Sequence, residues 1–138
     1  MINRIKSILD DSMKLANIFC GGTDLSYLGL AKKIEVEDVS VEELENYLSI
    51  PNITVIKQTI LKIIKKNIKN SKVYSKLLEY TEFMDDSFKI LGPCKLGHFA
   101  IYALKQLGYN DDFQIIFNNL KDDDKKTVML LENSLFDR

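Results

Sequence analysis

The sequence predicts an all-α protein of about seven helices arranged as antiparallel hairpins. Three observations carry this expectation. Strand signals are scarce: β-branched residues fall within helical spacings, and no Asn-Gly or Asp-Gly turn separates two alternating runs. Apolar residues recur with the 3.6-residue period of helices that each bury one face. Capping residues divide the chain into short segments joined by short turns.

Taken in order, residues 2 to 18 place Ile2, Ile5, Ile8, Leu9, Met13 and Ala16 on one stripe, and Gly21-Gly22 stops it. A short helix is expected after Thr23 through DLSYLGLAKK, with Gly29 as its weakest position. Ser40 and Glu43 have the spacing of a capping box and open a helix that ends near Pro51. Asn52 then caps residues 53 to 69, where Ile56, Ile60, Ile63 and Ile64 repeat at helical spacing. Residues 72 to 84 carry Val73, Leu77, Tyr80, Thr81 and Met84 on one side. Residues 93 to 107 start at Pro93, tolerated in a first turn, and end at Gly108. The last pair covers 110 to 120, capped by Asn110, and 122 to 136, capped by Asp122 with Asp123 and Asp124 beside the positive helix end.

A chain of 138 residues is large enough to bury a core without staples and fits one domain, 1–138. Hydrophobic content of 46% and charged content of 28% are those of a globular protein. The apolar runs fall short of the ~18 residues a spanning helix needs, and Asp10 and Asp11 interrupt the amphipathic N-terminus, so neither a membrane nor a secretory role is expected. With Cys20 and Cys94 the only cysteines, reduced thiols in the cytoplasm are the expectation.

One spacing recurs in the second helix of each hairpin: apolar or small residues at offsets 0, 4, 7, 8 and 11. Leu96, Ala100, Ala103, Leu104 and Leu107 satisfy it in full. Ile56, Ile60, Ile63 and Ile64 satisfy all but the last place, taken by Asn67, and Thr127, Leu131, Ser134 and Leu135 satisfy it more weakly. The anchors Ile56, Leu96 and Thr127 stand 40 and 31 residues apart, a range that brackets helical-hairpin repeats.

KLGHFAIYALKQLG, with a branched apolar residue, then Ala, then Ala-Leu, then Leu before Gly, resembles the second helix of a HEAT repeat, as in HEAT-like and armadillo-like proteins. The resemblance covers about residues 41–136 and is clearest over 72–108. Gly97 stands where that family usually has Arg, and the connection DDSFKILGP is longer than its tight Asp-Pro turn. The resemblance implies a short right-handed α-solenoid, with 1–34 as N-terminal capping helices and 41–136 as about three hairpins. It also implies protein binding before catalysis, with the second helices on the concave side.

At about 100° per residue, offsets 2, 6 and 9 lie opposite the packing set. In the middle helix these are His98, Tyr102 and Lys105, so His98 is expected to point away from the core, with Cys94 on nearly the same side. The same offsets select Gln58, Lys62 and Lys65 earlier, and Met129, Asn133 and Phe136 later. Under the resemblance, Lys62, Lys65, His98, Tyr102, Lys105 and Met129 form one protein-binding groove, basic at one end and apolar at the other. Small proteins of this kind in AT-rich bacteria, whose composition this Lys-, Ile- and Asn-rich chain shares, can serve as adaptors or as immunity proteins that block a toxin.

Other chemistry finds less support. Cys94 and His98 at i, i+4 suit a metal, yet zinc normally takes about three or four protein ligands and no second Cys/His pair exists, so neither metal nor cofactor is expected. A Cys94 nucleophile activated by a helix N-terminus and by His98 lacks an orienting third group, and no enzyme is expected. The acidic runs at 111–112 and 122–124 lack the alternating ligand spacing of a calcium loop and are expected to serve the helix starts.

Charge is unevenly placed. Residues 35 to 45 contain Glu35, Glu37, Asp38, Glu42, Glu43 and Glu45 and no cation, whereas 57 to 76 contain seven lysines and no carboxylate. The two segments are expected to face one another. The alternative is a patch over Lys57–Lys76 for nucleic acid, disfavoured by its lack of Arg and of interleaved aromatics and by the formal net charge of -1.

Overall fold

A computed structural model of the protein describes residues 25–91 and 93–134. The expected first helix, together with Cys20, Leu135 and Phe136, lies outside the described residues. Among the described residues the fold is predominantly helical. Its seven α-helices are α1 (Leu25–Val36), α2 (Val41–Tyr47), α3 (Ile53–Lys66), α4 (Ser71–Tyr80), α5 (Leu96–Gln106), α6 (Asn110–Asn118) and α7 (Asp122–Ser134). None is long and apolar enough to cross a membrane.

Local chemistry sets most helix starts. Ser40 Oγ accepts the Glu43 amide at 3.2 Å, satisfying one orphan donor of α2. The return arm differs from a capping box, because the Glu43 carboxylate accepts from Ser40 Oγ and from the Tyr47 hydroxyl. Asn52 Oδ1 caps α3 through Val55 N–H at 3.1 Å, and Asn70 Oδ1 caps α4 through Val73 N–H at 2.9 Å. Replacing Asn70 with alanine is expected to cost about 1 kcal/mol, read as a lower urea midpoint at unchanged slope.

Two helices stop sooner than expected. α3 ends at Lys66 because Asn67 adopts the left-handed conformation, φ 54°, and buried Ile68 returns its amide to the Ile63 carbonyl at 3.0 Å. That is the Schellman closure, with its apolar contact supplied by Ile68. α4 ends at Tyr80, where the Thr81 hydroxyl donates to the Leu78 carbonyl at 2.6 Å. Gly108, at φ 90°, does close α5 as its position predicts, and Tyr109 N–H then reaches the Leu104 carbonyl at 2.9 Å.

The long connection DDSFKILGP departs from a purely helical reading. It forms a 3-10 turn (Asp86–Phe88) and a strand β1 (Lys89–Leu91) that pairs antiparallel with β2 (Cys94–Lys95). Pro93 therefore lies between two strands and not in the first turn of a helix, and α5 begins three residues later at Leu96. The capping assignments of the last two helices also shift. Tyr109 precedes α6, so Asn110 is its first helical residue. Asp122 likewise lies inside α7, since Lys121 already accepts the Lys125 amide. Asp122, Asp123 and Asp124 occupy the first turn, where the helix dipole favours anions.

Helix α1 packs on α3, α3 on α5 and α5 on α7, while α2 lies against α3, and α4 and α6 lie against α5. The expected core positions Leu96, Ala100, Ala103, Leu104, Leu107, Ile56, Ile60 and Ile63 are all buried, and Ile64 is half-buried. Gly29 meets nothing within 4 Å, so α1 tolerates it as an exposed position. Gly97 is a different case: a Cβ there would lie 2.7 Å from Met84 Sδ and 3.0 Å from the Phe83 carbonyl. Its amide donates to that same carbonyl at 2.9 Å, so the absent side chain lets the turn after α4 seat on α5.

Candidate protein-binding surface

Among the described residues α3, α4, α6, α7 and β2 pack against α5, and every residue from Leu96 to Leu104 is buried. This overturns the expectation that His98 and Tyr102 face outward. His98 is 1% exposed and Tyr102 is fully buried. The offset argument assumed one apolar face, whereas LGHFAIYAL is apolar almost all round, the signature of a helix enclosed on every side. Phe99, Tyr102 and Cys94 form a second cluster with Leu131 of α7, joined by Leu61 and Ile64 of α3.

His98 instead ties α5 to α7. It is the third residue of α5, and its Nδ1 accepts the Lys95 amide at 2.9 Å, the return arm of a capping box with imidazole in place of a carboxylate. With Nδ1 acting as acceptor, the neutral ring carries its proton on Nε2, which donates to Asp124 Oδ1 at 2.8 Å. Burial holds the imidazole pKa below its ordinary value despite the Asp124 carboxylate, and Lys95 adds a smaller effect in the same direction as burial.

Both ring nitrogens are thus engaged, and neither remains to activate Cys94. That thiol is 8% exposed, and burial raises its pKa, which disfavours the thiolate a nucleophile requires. Among the described residues no group of three or more His, Cys, Asp or Glu side chains is placed to hold a metal ion.

The remaining predicted positions lie in different local settings. Lys105 is half-buried, bonds Glu132 of α7 at 2.6 Å and lies 5.2 Å from the Phe113 ring centroid. Lys62 donates to the Glu35 carbonyl near the end of α1 at 3.2 Å, and Lys65 is exposed. Met129 is exposed on α7. Where a line of outward residues was expected, His98 and Lys105 form clasps between α5 and α7, and Tyr102 lies in the packing between them.

The acidic and basic segments do meet at Lys66, which bonds Asp38 Oδ1 and the Val39 carbonyl, each at 2.7 Å. The Lys66 ammonium holds the Asp38 carboxyl below its ordinary range. Lys76 is also occupied, 3.3 Å from Glu79 and 5.5 Å from the Tyr80 ring centroid. A cleft of about 470 Å³ beside it mixes Lys72 and Lys76 with Glu45 and Glu79, so it presents no uniform charge.

Among the described residues, large apolar side chains are exposed at Leu28, Val36, Val41 and Ile115 and, as an adjacent pair, on the outward side of α7. Val128 and Leu131 turn inward, whereas Met129 and Leu130 are 42% and 53% exposed. Lys125, Lys126 and Asn133 border them in one shallow depression. Leu130 was not among the predicted site residues, although four consecutive apolar residues, Val128 to Leu131, signal it: a helix packed on one side cannot bury all four. Comparison with protein-family models, with curated proteins and with solved structures returns no match.

Proposed function

We propose that this chain is a short cytoplasmic helical-repeat protein of the HEAT-like kind that binds another protein, as an adaptor or as an immunity protein that blocks a toxin. The contact is made by the outward face of α7. The observation that carries this reading is the pair Met129 and Leu130, exposed side by side with a collar of Lys125, Lys126 and Asn133. Adjacent apolar anchors with a polar rim are what protein recognition uses, and a surface of this kind favours a partner with an apolar side chain among carboxylates.

The packing order supports the repeat architecture, since α3, α5 and α7, the second helices of the expected hairpins, follow one another in contact. A non-enzymatic role is supported by the buried Cys94 and by the engagement of both His98 nitrogens. Nucleic-acid binding is the weaker reading, because Lys62, Lys66 and Lys76 are already held by groups of the protein itself.

The test is affinity capture from the native cell with quantitative mass spectrometry, comparing wild type with Met129→Glu/Leu130→Glu. Both positions are exposed, so the double variant should unfold within about 0.5 kcal/mol of wild type per site. It is expected to lose the captured partner. Equal recovery of the same partner by both proteins would sink the reading.

A further inference from the structure

The corner between α1 and α2 has the complementary chemistry. Val36 and Val41 are 63% and 42% exposed, on either side in sequence of the buried Val39. Glu35, Glu37, Asp38 and Glu42 stand exposed around them; Lys66 holds Asp38 at 2.7 Å and Lys32 lies 4.0 Å from Glu35, so Glu37 and Glu42 are the carboxylates this corner offers to a partner's cations. The corner therefore offers apolar side chains among carboxylates, and the α7 face offers apolar side chains beside lysines.

We propose that the α7 face of one copy of this chain docks on the α1–α2 corner of a second copy. This rests on the reading of α7 as a binding face and names an occupant for it. Helix α7 packs on α5, α5 on α3 and α3 on α1, so two helices separate the patches within one molecule. Each copy consequently leaves one patch of each kind open, which makes the contact head-to-tail and able to propagate.

Symmetric pairing is disfavoured on both sides. Two α7 faces would bring Lys125 and Lys126 against their counterparts, and two corners would oppose carboxylates. Asp122 and Asp123 do not reverse this for α7, because they lie in its first turn, about two turns before Met129. In the head-to-tail arrangement Met129 and Leu130 meet Val36 and Val41 while lysines meet glutamates. The association also covers the α7 face, so any other protein that uses this face must compete with it.

Sedimentation velocity on the full chain tests the proposal. In about 0.05 M salt the wild-type mass is expected to rise with concentration through two and three times that of the monomer, and raising salt to about 0.5 M should weaken association roughly tenfold or more. Met129→Glu/Leu130→Glu and Val36→Lys/Val41→Lys, each alone, should remain monomeric. Their equimolar mixture retains one intact α7 face and one intact corner, and should form a dimer and nothing larger.

A wild type that stays monomeric throughout, a mixture that fails to dimerise, or a Val36/Val41 variant that assembles as wild type does would each overturn the proposal. Partner capture is repeated with the Val36/Val41 variant, which keeps α7 intact. If it retains the partner while wild type never self-associates, the docking proposal falls and the binding reading stands. If Met129→Glu/Leu130→Glu still captures the partner, the binding reading falls.

Discussion

Replacing Phe83 with alanine is expected to remove about 3–5 kcal/mol of folding stability, with a fall in Tm on the order of 10 °C, measured by urea and thermal unfolding. The size of the effect follows from position. Phe83 is 1% exposed, stacks on Phe88 with centroids 4.8 Å apart, and meets the Tyr80 ring edge-on at 5.3 Å. Tyr80 is anchored in turn, because its hydroxyl donates to the Leu48 carbonyl just after α2. The ring therefore joins α4, the 3-10 turn and the approach to the hairpin, while its own carbonyl holds the Gly97 amide. Phe83→Leu keeps most of the volume and should cost well under half as much. A loss below about 1 kcal/mol for the alanine variant would show that the turn collapses freely around the vacated space.

The reach of sequence reasoning here follows the range of the interactions involved. Ser40, Asn52 and Gly108 act on amides or carbonyls a few residues away, and their roles were legible from spacing alone. The packing set Leu96, Ala100, Ala103, Leu104 and Leu107 was legible for the same reason, as one helix face. The hairpin at Lys89–Lys95 was not, because β2 has only two residues and the pair is held against α3 and α5 by tertiary packing. The position of Pro93 failed with it: a proline before an apolar run suits a helix start or a turn between strands equally well.

The candidate site shows the same division. A helical period identifies which residues share a face, yet it does not say how many faces are covered. For α7 the difference between Val128 and Leu131 inside and Met129 and Leu130 outside follows from one-sided packing, and Met129 was placed correctly as exposed. For α5 the surrounding elements cover every side from Leu96 to Leu104. Tyr102 and His98 are consequently internal, and the feature that distinguishes them is the uncharged run LGHFAIYAL, not the offset at which they stand.

His98→Ala is expected to cost about 2–4 kcal/mol, because it leaves the Lys95 amide without its acceptor, frees the Asp124 carboxylate and opens a cavity at a site that is 1% exposed. The effect should depend on pH, and the sign follows from protonation. The folded-state pKa lies below the ordinary 6.5, so between the two values the unfolded chain binds more protons than the folded one. The contribution of His98 is therefore complete above about pH 6.5 and is lost as pH falls from there toward the folded-state pKa. A proton on Nδ1 also turns the acceptor for the Lys95 amide into a second donor, so protonation specifically undoes the start of α5. His98→Gln supplies an amide oxygen at the position where a capping box uses glutamine, and it does not titrate. It should recover part of the alanine loss and flatten the stability profile between about pH 5 and pH 7. If wild type and His98→Gln lose stability in parallel through that window, the buried imidazole does not control the acid response.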